Sequence, residues 1–194
     1  MEMKNNNFDA GKAFDWGRTS GDYAAYRDIY PPVFYQKIVE RGLCISGQKV
    51  LDLGTGTGVL PRNMYSYGAD WTGTDISENQ IFQAKRLADQ AGMDIEFMTV
   101  PTEEIEFTSN IFDVVIACQC FWYFDHKRVM PLISNILSER GKLLILYMAW
   151  LPFEDRIARL SEELVLKYSP NWTGAGETRK PIWLPDVVYD YFEM

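Results

Sequence analysis

The sequence predicts an α/β fold, a doubly wound and mostly parallel sheet covered by helices. Two observations predict this fold. From about residue 48 onward, short apolar segments alternate with segments of helical periodicity, the pattern of parallel strands joined by crossover helices. The first apolar segment, residues 49–53, also runs directly into a turn with three glycines, and a helix pattern follows at residues 59–67. A strand, a glycine turn and a helix in that order are typical of doubly wound sheets.

The second strand and the helix after it have clear boundaries. Residues 70–75 form a short strand pattern, and Ser77 and Gln80 then form an S-x-x-Q motif. This motif is a capping box, in which each side chain bonds the backbone N–H of the other residue. Gly92 marks the end of the helix. Its predicted buried face consists of Ile81, Ala84, Ala88 and Ala91.

Three further strands and one further helix complete the predicted core. The strand patterns lie at residues 95–100, 112–118 and 143–147, and the second is the continuous apolar kind expected of a strand covered on both faces. We expect Asp125 to cap the helix before the last strand. Gly141 separates that helix from the strand. The helix face consists of Val129, Leu132, Ile133, Ile136 and Leu137.

Two flanking segments extend the core, and the length suits one structural domain with three parts. Residues 1–45 predict an N-terminal helical cap with a helix at residues 33–40, and residues 46–150 predict the α/β core. Residues 151–194 predict a C-terminal extension, a helix at residues 154–168 with an irregular tail.

The composition excludes several classes of protein. With 194 residues, 47% of them hydrophobic and 24% charged, the chain is globular rather than collagen-like, coiled coil or wholly disordered. Its 27 acidic and 19 basic residues give a net charge of −8, which repels phosphate backbones and anionic lipids. A neutral or cationic small molecule is therefore a better ligand than a nucleic acid or a membrane.

Cysteine, histidine and apolar content bear on metals and location. Three cysteines without paired spacing and one histidine are too few for a structural zinc site. The first residues lack the apolar stretch of a secretory signal. The longest apolar run, residues 143–151, is too short for a membrane helix, which needs about 20 residues, and predicts a buried strand. A cytoplasmic protein with reduced thiols is the simplest expectation.

The glycine turn is the motif that carries chemistry. Gly54, Gly56 and Gly58 stand where a parallel strand turns into a helix. Glycines there allow positive φ and let the backbone approach a ligand. Asp75 follows Gly54 by 21 residues and ends the next strand, where a carboxylate can accept hydrogen bonds from ribose hydroxyls. The sequence therefore predicts a bound nucleoside at the carboxyl ends of the strands.

These features together resemble the class I S-adenosylmethionine-dependent methyltransferases. A dinucleotide-binding turn would need glycine at position 59, where this chain has Val59. The acidic Asp52, the G-x-G-x-G turn, Asp75 and residues 112–115 stand in the order and spacing of that family. The resemblance covers about residues 10–150 and is nearest to the small-molecule group related to ubiquinone biosynthesis methyltransferases. It implies a Rossmann-like core, S-adenosylmethionine as the cofactor and no metal.

The resemblance also implies which residues contact the cofactor. Asp52 and the glycine turn would line its methionine and ribose, Asp75 would hold the ribose hydroxyls, and Ile76 would lie against adenine. The backbone N–H of Thr102 would meet the adenine edge, and the end of the fourth strand would lie near the sulfonium. The cofactor candidates are Asp52, Gly54, Thr55, Gly56, Gly58, Asp75, Ile76, Thr102, Glu103, Cys118 and Gln119.

Residues on the acceptor side carry weaker signals, and each has a structural alternative. Aromatic side chains after the fourth strand could line a substrate pocket or fill the core, and the lead-in before the core could form a lid or pack as an ordinary helix. The lid or substrate candidates are Tyr23, Tyr26, Arg27 and Trp122. The candidate bases are Tyr123 and His126, although a histidine at a helix start is more often a surface residue than a base. Asp75 could instead cap a helix, and Cys118 could be an inert buried thiol.

Three departures from the family pattern qualify these expectations. Members that methylate nucleic-acid amines carry an Asn- or Asp-Pro-Pro-aromatic motif where this chain has residues 118–124 without it, in agreement with the acidic charge. Many members have aspartate where this chain has Pro101. After residue 147 no strand pattern matches the family's terminal hairpin, so either the sheet ends early or the chain is a fragment.

The leading hypothesis is transfer of the methyl group of S-adenosylmethionine to a small acceptor. A nicotinamide-dependent oxidoreductase is a weaker rival because of Val59. A non-catalytic nucleoside-binding or interaction module is a second rival, motivated by Pro101 and the missing strand patterns. The acceptor atom stays open, and so does the choice between a monomer and a homodimer.

Overall fold

The computed structural model describes residues 19–27, 30–148, 151–169, 171–172, 174 and 184–193, and it confirms the predicted doubly wound parallel sheet. Five parallel strands follow the order β3-β2-β1-β4-β5. The order reverses between β1 and β4, and at such a point a crevice opens at the carboxyl ends of the strands. The strands are β1 (Lys49–Leu53), β2 (Asp70–Asp75), β3 (Glu96–Thr99), β4 (Phe112–Cys118) and β5 (Leu137–Leu146).

Helices connect and flank these strands. The chain divides into two compact units, Met1–Leu146 with Val187–Met194 and Tyr147–Asp186. The sheet belongs to the first of them. The helices are α1 (Ser20–Tyr26), α2 (Pro32–Val39), α3 (Val59–Met64), α4 (Glu78–Gln90), α5 (His126–Ile136), α6 (Arg156–Tyr168) and α7 (Asp186–Tyr189). Short 3₁₀ turns lie at Tyr65–Tyr67, Thr102–Glu104 and Phe121–Tyr123.

The core of the first unit is built on the three central strands. Val114, Val115, Ile116 and Ala117 of β4 are completely buried, as expected of a strand covered on both faces. On one side of the sheet, Met64 and Trp71 pack in a cluster with α2. On the other, Ala84 of α4 packs against Phe97 of β3, each fully buried large apolar side chain contributing about 1.5–3 kcal/mol.

The end of α5 differs from the prediction. Leu137 was expected on the helix face, and Gly141 was expected to separate helix and strand, but β5 begins at Leu137 and contains Gly141. Phe112 of β4 pairs with Leu137, whereas Val114 pairs with Lys142, so β5 carries three extra residues there. This β-bulge accommodates a polar stretch that resembles a turn in the sequence. Asp125 stands at the predicted N-cap position of α5, but its side chain makes no capping bond there.

The second unit, Tyr147–Asp186, contains α6, which corresponds to the helix predicted at residues 154–168. Asp155 Oδ1 caps α6 by accepting from the backbone N–H of Ala158 at 2.7 Å. Glu162 faces inward and accepts from Trp172 Nε1 at 2.9 Å. The apolar side chains that make α6 amphipathic are exposed instead: Ile157 by 74%, Leu160 by 46% and Leu164 by 57%.

The apolar run at residues 143–151 is not one buried strand. β5 ends at Leu146, and Tyr147 and Met148 are exposed. Residues 149 and 150 lie outside the described residues. Among those that are described, no strand follows β5.

Candidate functional site

The three glycines of the turn after β1 have different surroundings. Gly54, Gly56 and Gly58 all adopt positive φ, at 59°, 58° and 72°. A Cβ at Gly54 would lie 2.9 Å from the Cys120 side chain, and one at Gly58 would lie 2.8 Å from the Phe97 ring. At Gly56 a Cβ would meet nothing within 4 Å. The main chain is therefore open to a ligand at Gly56, whereas Gly58 is needed for packing.

Asp75 is fixed at the end of β2 by two main-chain hydrogen bonds. Its Oδ2 accepts from the N–H of Gly56 at 2.9 Å, and its Oδ1 accepts from the N–H of Ser77 at 2.8 Å. Burial raises the pKa of this carboxyl, and the two N–H donors oppose the rise. Each carboxylate oxygen can accept a second hydrogen bond, so Asp75 retains capacity for a ligand.

Asp52 lies below the turn. It is buried, and its Oδ2 accepts from Thr55 Oγ1 at 2.7 Å, while the N–H of Thr55 donates to the carbonyl of Thr74 at 2.8 Å. Burial raises the pKa of Asp52 to about 7; the charge of Asp75 adds to the rise, and the Thr55 hydroxyl opposes it. Within the described part of the chain, Asp52 Oδ1 has no hydrogen-bond partner. The hydrogen bonds of Thr55 to Asp52 and to Thr74 thus stabilise the turn.

A cleft of about 380 Å³ opens above the turn, at the carboxyl ends of β1, β2 and β4. Its volume lies within the range of about 300–1,000 Å³ typical of small-molecule sites. It brings together eleven of the residues singled out from the sequence: Tyr23, Arg27, Gly54, Gly56, Asp75, Ile76, Thr102, Glu103, Cys118, Gln119 and Tyr123.

The wall at the end of β4 carries two thiols. Cys118 Sγ donates to Tyr30 Oη at 3.4 Å, and Cys120 Sγ donates to the carbonyl of Leu53 at 3.0 Å. Burial raises the pKa of Cys118 to about 12 and that of Cys120 well above its usual value. Both groups are therefore neutral thiols at physiological pH, which are poor nucleophiles. Gln119 between them adopts a φ of 67°.

Six of the residues singled out from the sequence do not line the cleft. Asp52, Thr55 and Gly58 are buried at or next to the turn. Tyr26 is 81% exposed, and Trp122 packs edge-to-face on Phe121. His126 Nε2 lies 3.0 Å from the carbonyl of Phe121, so one ring nitrogen has a partner within the protein.

Four cleft residues were not assigned to the site from the sequence: Gln80, Pro101, Cys120 and Phe124. Gln80 was interpreted as half of a capping box, and one half forms, because Ser77 Oγ accepts from the Gln80 N–H at 3.4 Å. The Ser77 N–H, however, donates to Asp75. A signal for Gln80 was present in the sequence. Asp75 and Gln80 are two possible acceptors for the single Ser77 N–H, and Asp75 is the one that accepts it.

The described residues also bear on metals and membranes. They contain no group of three or more histidine, cysteine, aspartate or glutamate side chains placed to hold a metal ion. None of their helices has the length and apolar character needed to cross a bilayer.

Known proteins share this fold and sequence pattern. Residues 50–141 match the family described as "Methyltransferase domain". The ubiquinone biosynthesis O-methyltransferase of Coxiella burnetii (strain Dugway 5J108-111) is 28% identical over 132 residues, 68% of this chain and 56% of that protein. The protein of that name from Bordetella avium (strain 197N) is 26% identical over 148 residues, 75% of this chain and 61% of that protein.

A solved structure gives the same result for the fold. It is described as a candidate S-adenosyl-L-methionine-dependent methyltransferase from Methanococcus maripaludis, and it matches with a TM-score of 0.64 at 20% identity. The match covers 83% of this chain and 75% of that one.

The crevice at the strand ends, the open glycine turn and the acid after β2 form the arrangement that is typical of nucleoside sites in the doubly wound α/β class. The match over residues 50–141 and the relatives by sequence support the resemblance to the class I S-adenosylmethionine-dependent methyltransferases. S-adenosylmethionine is the cofactor of this family. The chain spans a little over half the length of the Coxiella relative, 56%.

Proposed function

We propose that this chain transfers the methyl group of S-adenosylmethionine to a small-molecule acceptor and releases S-adenosylhomocysteine. The observation that carries the proposal is the bond of 2.9 Å between the Gly56 N–H and Asp75. It joins an uncovered main-chain turn to a carboxylate at the edge of one open cleft.

The residues of the cleft fit the cofactor. A nucleoside needs acceptors for its ribose hydroxyls, and Asp75 has lone pairs to spare after its two main-chain bonds. Ile76, 51% exposed, offers an apolar surface for adenine. The space above Gly56 gives the ribose and methionine part room, and Thr102 contributes its backbone N–H at the adenine edge. Gln80 also lines the cleft.

S-adenosylmethionine supplies an electrophilic methyl group on a sulfonium, and the protein's part is to orient it and exclude water. Cys118, Gln119 and Cys120 form the wall on the methionine side. Because both thiols are neutral, they do not compete with the acceptor for the methyl group.

On the acceptor side, the cleft is lined by aromatic side chains and by the positively charged Arg27. Tyr123 and Phe124 form one wall, and Tyr23 forms another, with the Arg27 guanidinium 5.7 Å from its ring centroid. Aromatic faces favour a sulfonium and a planar acceptor. If the acceptor needs to lose a proton, Tyr123 is the better placed base, because His126 bonds the Phe121 carbonyl outside the cleft lining.

The wider assignments are part of the same proposal. The functional parts are a cap at residues 1–45, the cofactor-binding core at 46–150 and an extension at 151–194, with Tyr26 and Trp122 flanking the acceptor. The three free cysteines support a cytoplasmic location, and the net charge of −8 supports an acceptor other than nucleic acid. Whether the chain acts as a homodimer is decided by its mass in solution.

Ligand binding and turnover test the proposal together. Titration calorimetry should detect binding of S-adenosylhomocysteine and no binding of NAD⁺ or NADP⁺. Methyl-labelled S-adenosylmethionine, incubated with small phenols, amines and carboxylic acids and with RNA, should label a small acceptor. Binding of NAD⁺ alone would favour an oxidoreductase. Binding of S-adenosylhomocysteine without turnover on any acceptor would favour a non-catalytic module.

A further inference from the structure

The Glu103 side chain lines the cleft, but its carboxylate has a partner on another element. Oε1 accepts from the backbone N–H of Asp125 at 2.9 Å, 22 residues along the chain. Arg128 Nη2 lies 3.4 Å from the Glu103 carbonyl oxygen. The Asp125 side chain makes no capping bond. The start of α5 is therefore held by a residue from the loop after β3.

The bonded segment carries the aromatic wall of the cleft. The N–H of Tyr123 donates to the Cys120 carbonyl at 2.9 Å, and that of Phe124 donates to the Phe121 carbonyl at 3.3 Å, which closes the turn. The next N–H along the chain belongs to Asp125. The bond to Glu103 thus fixes the point at which the Tyr123–Phe124 wall joins α5.

The other end of the link reaches the nucleoside side. Glu103 belongs to the turn Thr102–Glu104, in which Thr102 is buried. Val100, two residues before this turn, donates its N–H to the Asp75 carbonyl at 2.9 Å. The Glu103 side chain therefore links the loop that is bonded to Asp75 with the Tyr123–Phe124 wall.

We propose that Glu103 is a positioning residue that couples nucleoside binding to the Tyr123–Phe124 wall by accepting the Asp125 N–H. The proposal rests on the proposed function. It gives Glu103 a role other than direct charge contact with the cofactor. What matters is a hydrogen-bond acceptor at Oε1, and a neutral amide oxygen can take that role.

Three variants separate the two roles. Glu103→Gln keeps an acceptor and removes the charge, whereas Glu103→Ala removes both. Glu104→Ala is the matched control, because Glu104 is the exposed neighbour in the same turn. The probe is S-adenosylhomocysteine. The measurements are its affinity by calorimetry and amide hydrogen exchange of residues 121–128, with and without the probe.

Without the probe, Glu103→Ala should speed exchange of residues 121–128 by about 10-fold, and the other two variants should stay within about 3-fold of the wild type. The probe should protect this segment in the wild type and in Glu103→Gln. In Glu103→Ala it should protect residues 54–58 but not residues 121–128. A residue that merely stabilises the fold would not remove this ligand-induced protection selectively. Affinity should fall by about 3- to 10-fold in Glu103→Ala and by less than about 3-fold in Glu103→Gln.

Two results would overturn the proposal, and they differ. If both Glu103 variants lose affinity equally and exchange at residues 121–128 is unchanged, Glu103 acts on the ligand through its charge. If the wild type does not bind S-adenosylhomocysteine at all, the proposed function fails, and the coupling fails with it. If the wild type binds S-adenosylhomocysteine normally and both Glu103 variants lose affinity equally, only the coupling fails, and the proposed function stands.

Discussion

Asp52 and Asp75, the two acidic residues beside the glycine turn, differ in the hydrogen bonds that offset the cost of burying their charge. Both oxygens of Asp75 accept from main-chain N–H groups, and such bonds favour the charged form. Asp52 has one hydroxyl donor, from Thr55, and a buried oxygen with no partner among the described residues. The negative charge is therefore better stabilised at the cleft than beneath the turn. This difference gives each residue its own test.

Replacing Asp75 with alanine should weaken S-adenosylhomocysteine binding by on the order of 1–3 kcal/mol, because ribose hydroxyls lose their acceptor. The N–H groups of Gly56 and Ser77 lose their acceptor as well, so thermal stability should also fall. Calorimetry measures the affinity. Asp70→Ala, at the exposed other end of the same strand, is the control and should bind normally. Unchanged affinity in Asp75→Ala would contradict the ribose assignment.

Asp52 should make the stability of the protein depend on pH. Its pKa is raised from 3.8 to about 7 in the folded chain, so between these values the unfolded chain loses a proton that the folded chain keeps. Stability therefore falls as pH rises through this window, by at most about 4 kcal/mol. Asp52→Asn keeps an acceptor for Thr55 and removes the titration.

The measurement is denaturant unfolding at pH 5 and pH 8. The loss of stability between the two should be smaller in Asp52→Asn than in the wild type. Asp94→Asn, a change at an exposed aspartate, should leave the pH dependence as it is. The same loss in Asp52→Asn as in the wild type would mean that other groups cause it.

At the scale of elements, strands were predicted better than helix ends. β1, β2 and β4 have the predicted bounds, because a short apolar segment between turn residues has few alternatives in a parallel sheet. The boundary between α5 and β5 could not be predicted. Leu137 fits a helix face by spacing, and its pairing with Phe112 across a bulge depends on a strand 25 residues earlier. Local periodicity contains no information on such pairing.

The glycine turn also shows that local sequence does not reveal tertiary contacts, and this difference can be tested. In sequence Gly56 and Gly58 look alike, but Gly58 faces the Phe97 ring, and Gly56 faces open space. Gly58→Ala should destabilise the protein by about 1–3 kcal/mol, since it adds a collision to the strain of positive φ. Gly56→Ala should cost about 1 kcal/mol of strain and lose S-adenosylhomocysteine binding, because its methyl group enters the cleft.

Denaturant unfolding and calorimetry on both variants separate the two effects. Gly92→Ala is the control, because Gly92 also has positive φ with nothing within 4 Å but lies outside the cleft lining. It should match Gly56→Ala in stability and match the wild type in affinity. Tight binding by Gly56→Ala would mean that the ligand does not approach the turn.

At the scale of the whole molecule, the cleft is assembled from segments far apart in sequence. Residues within the motif, such as Gly56 and Asp75, were predictable because their spacing alone implies a nucleoside site. Phe124 and the bond between Glu103 and Asp125 were not, because they depend on how the loops after β3 and β4 meet. The sequence therefore predicts which residues near the glycine turn line the cleft better than it predicts the contacts of the loops after β3 and β4.

The distribution of cysteines tests this assembly in one measurement. Cys118 and Cys120 line the cleft, whereas Cys44 is completely buried in the core. A maleimide should therefore label Cys118 and Cys120 slowly, because their thiols are protonated, and should label Cys44 only after unfolding. S-adenosylhomocysteine at about 100 times its dissociation constant should slow labelling of the cleft thiols by at least about 10-fold. Peptide mass spectrometry identifies the labelled residue. Binding without protection of either thiol would place the nucleoside elsewhere than in this cleft, because a ligand seated above Gly56 covers the wall formed by the end of β4.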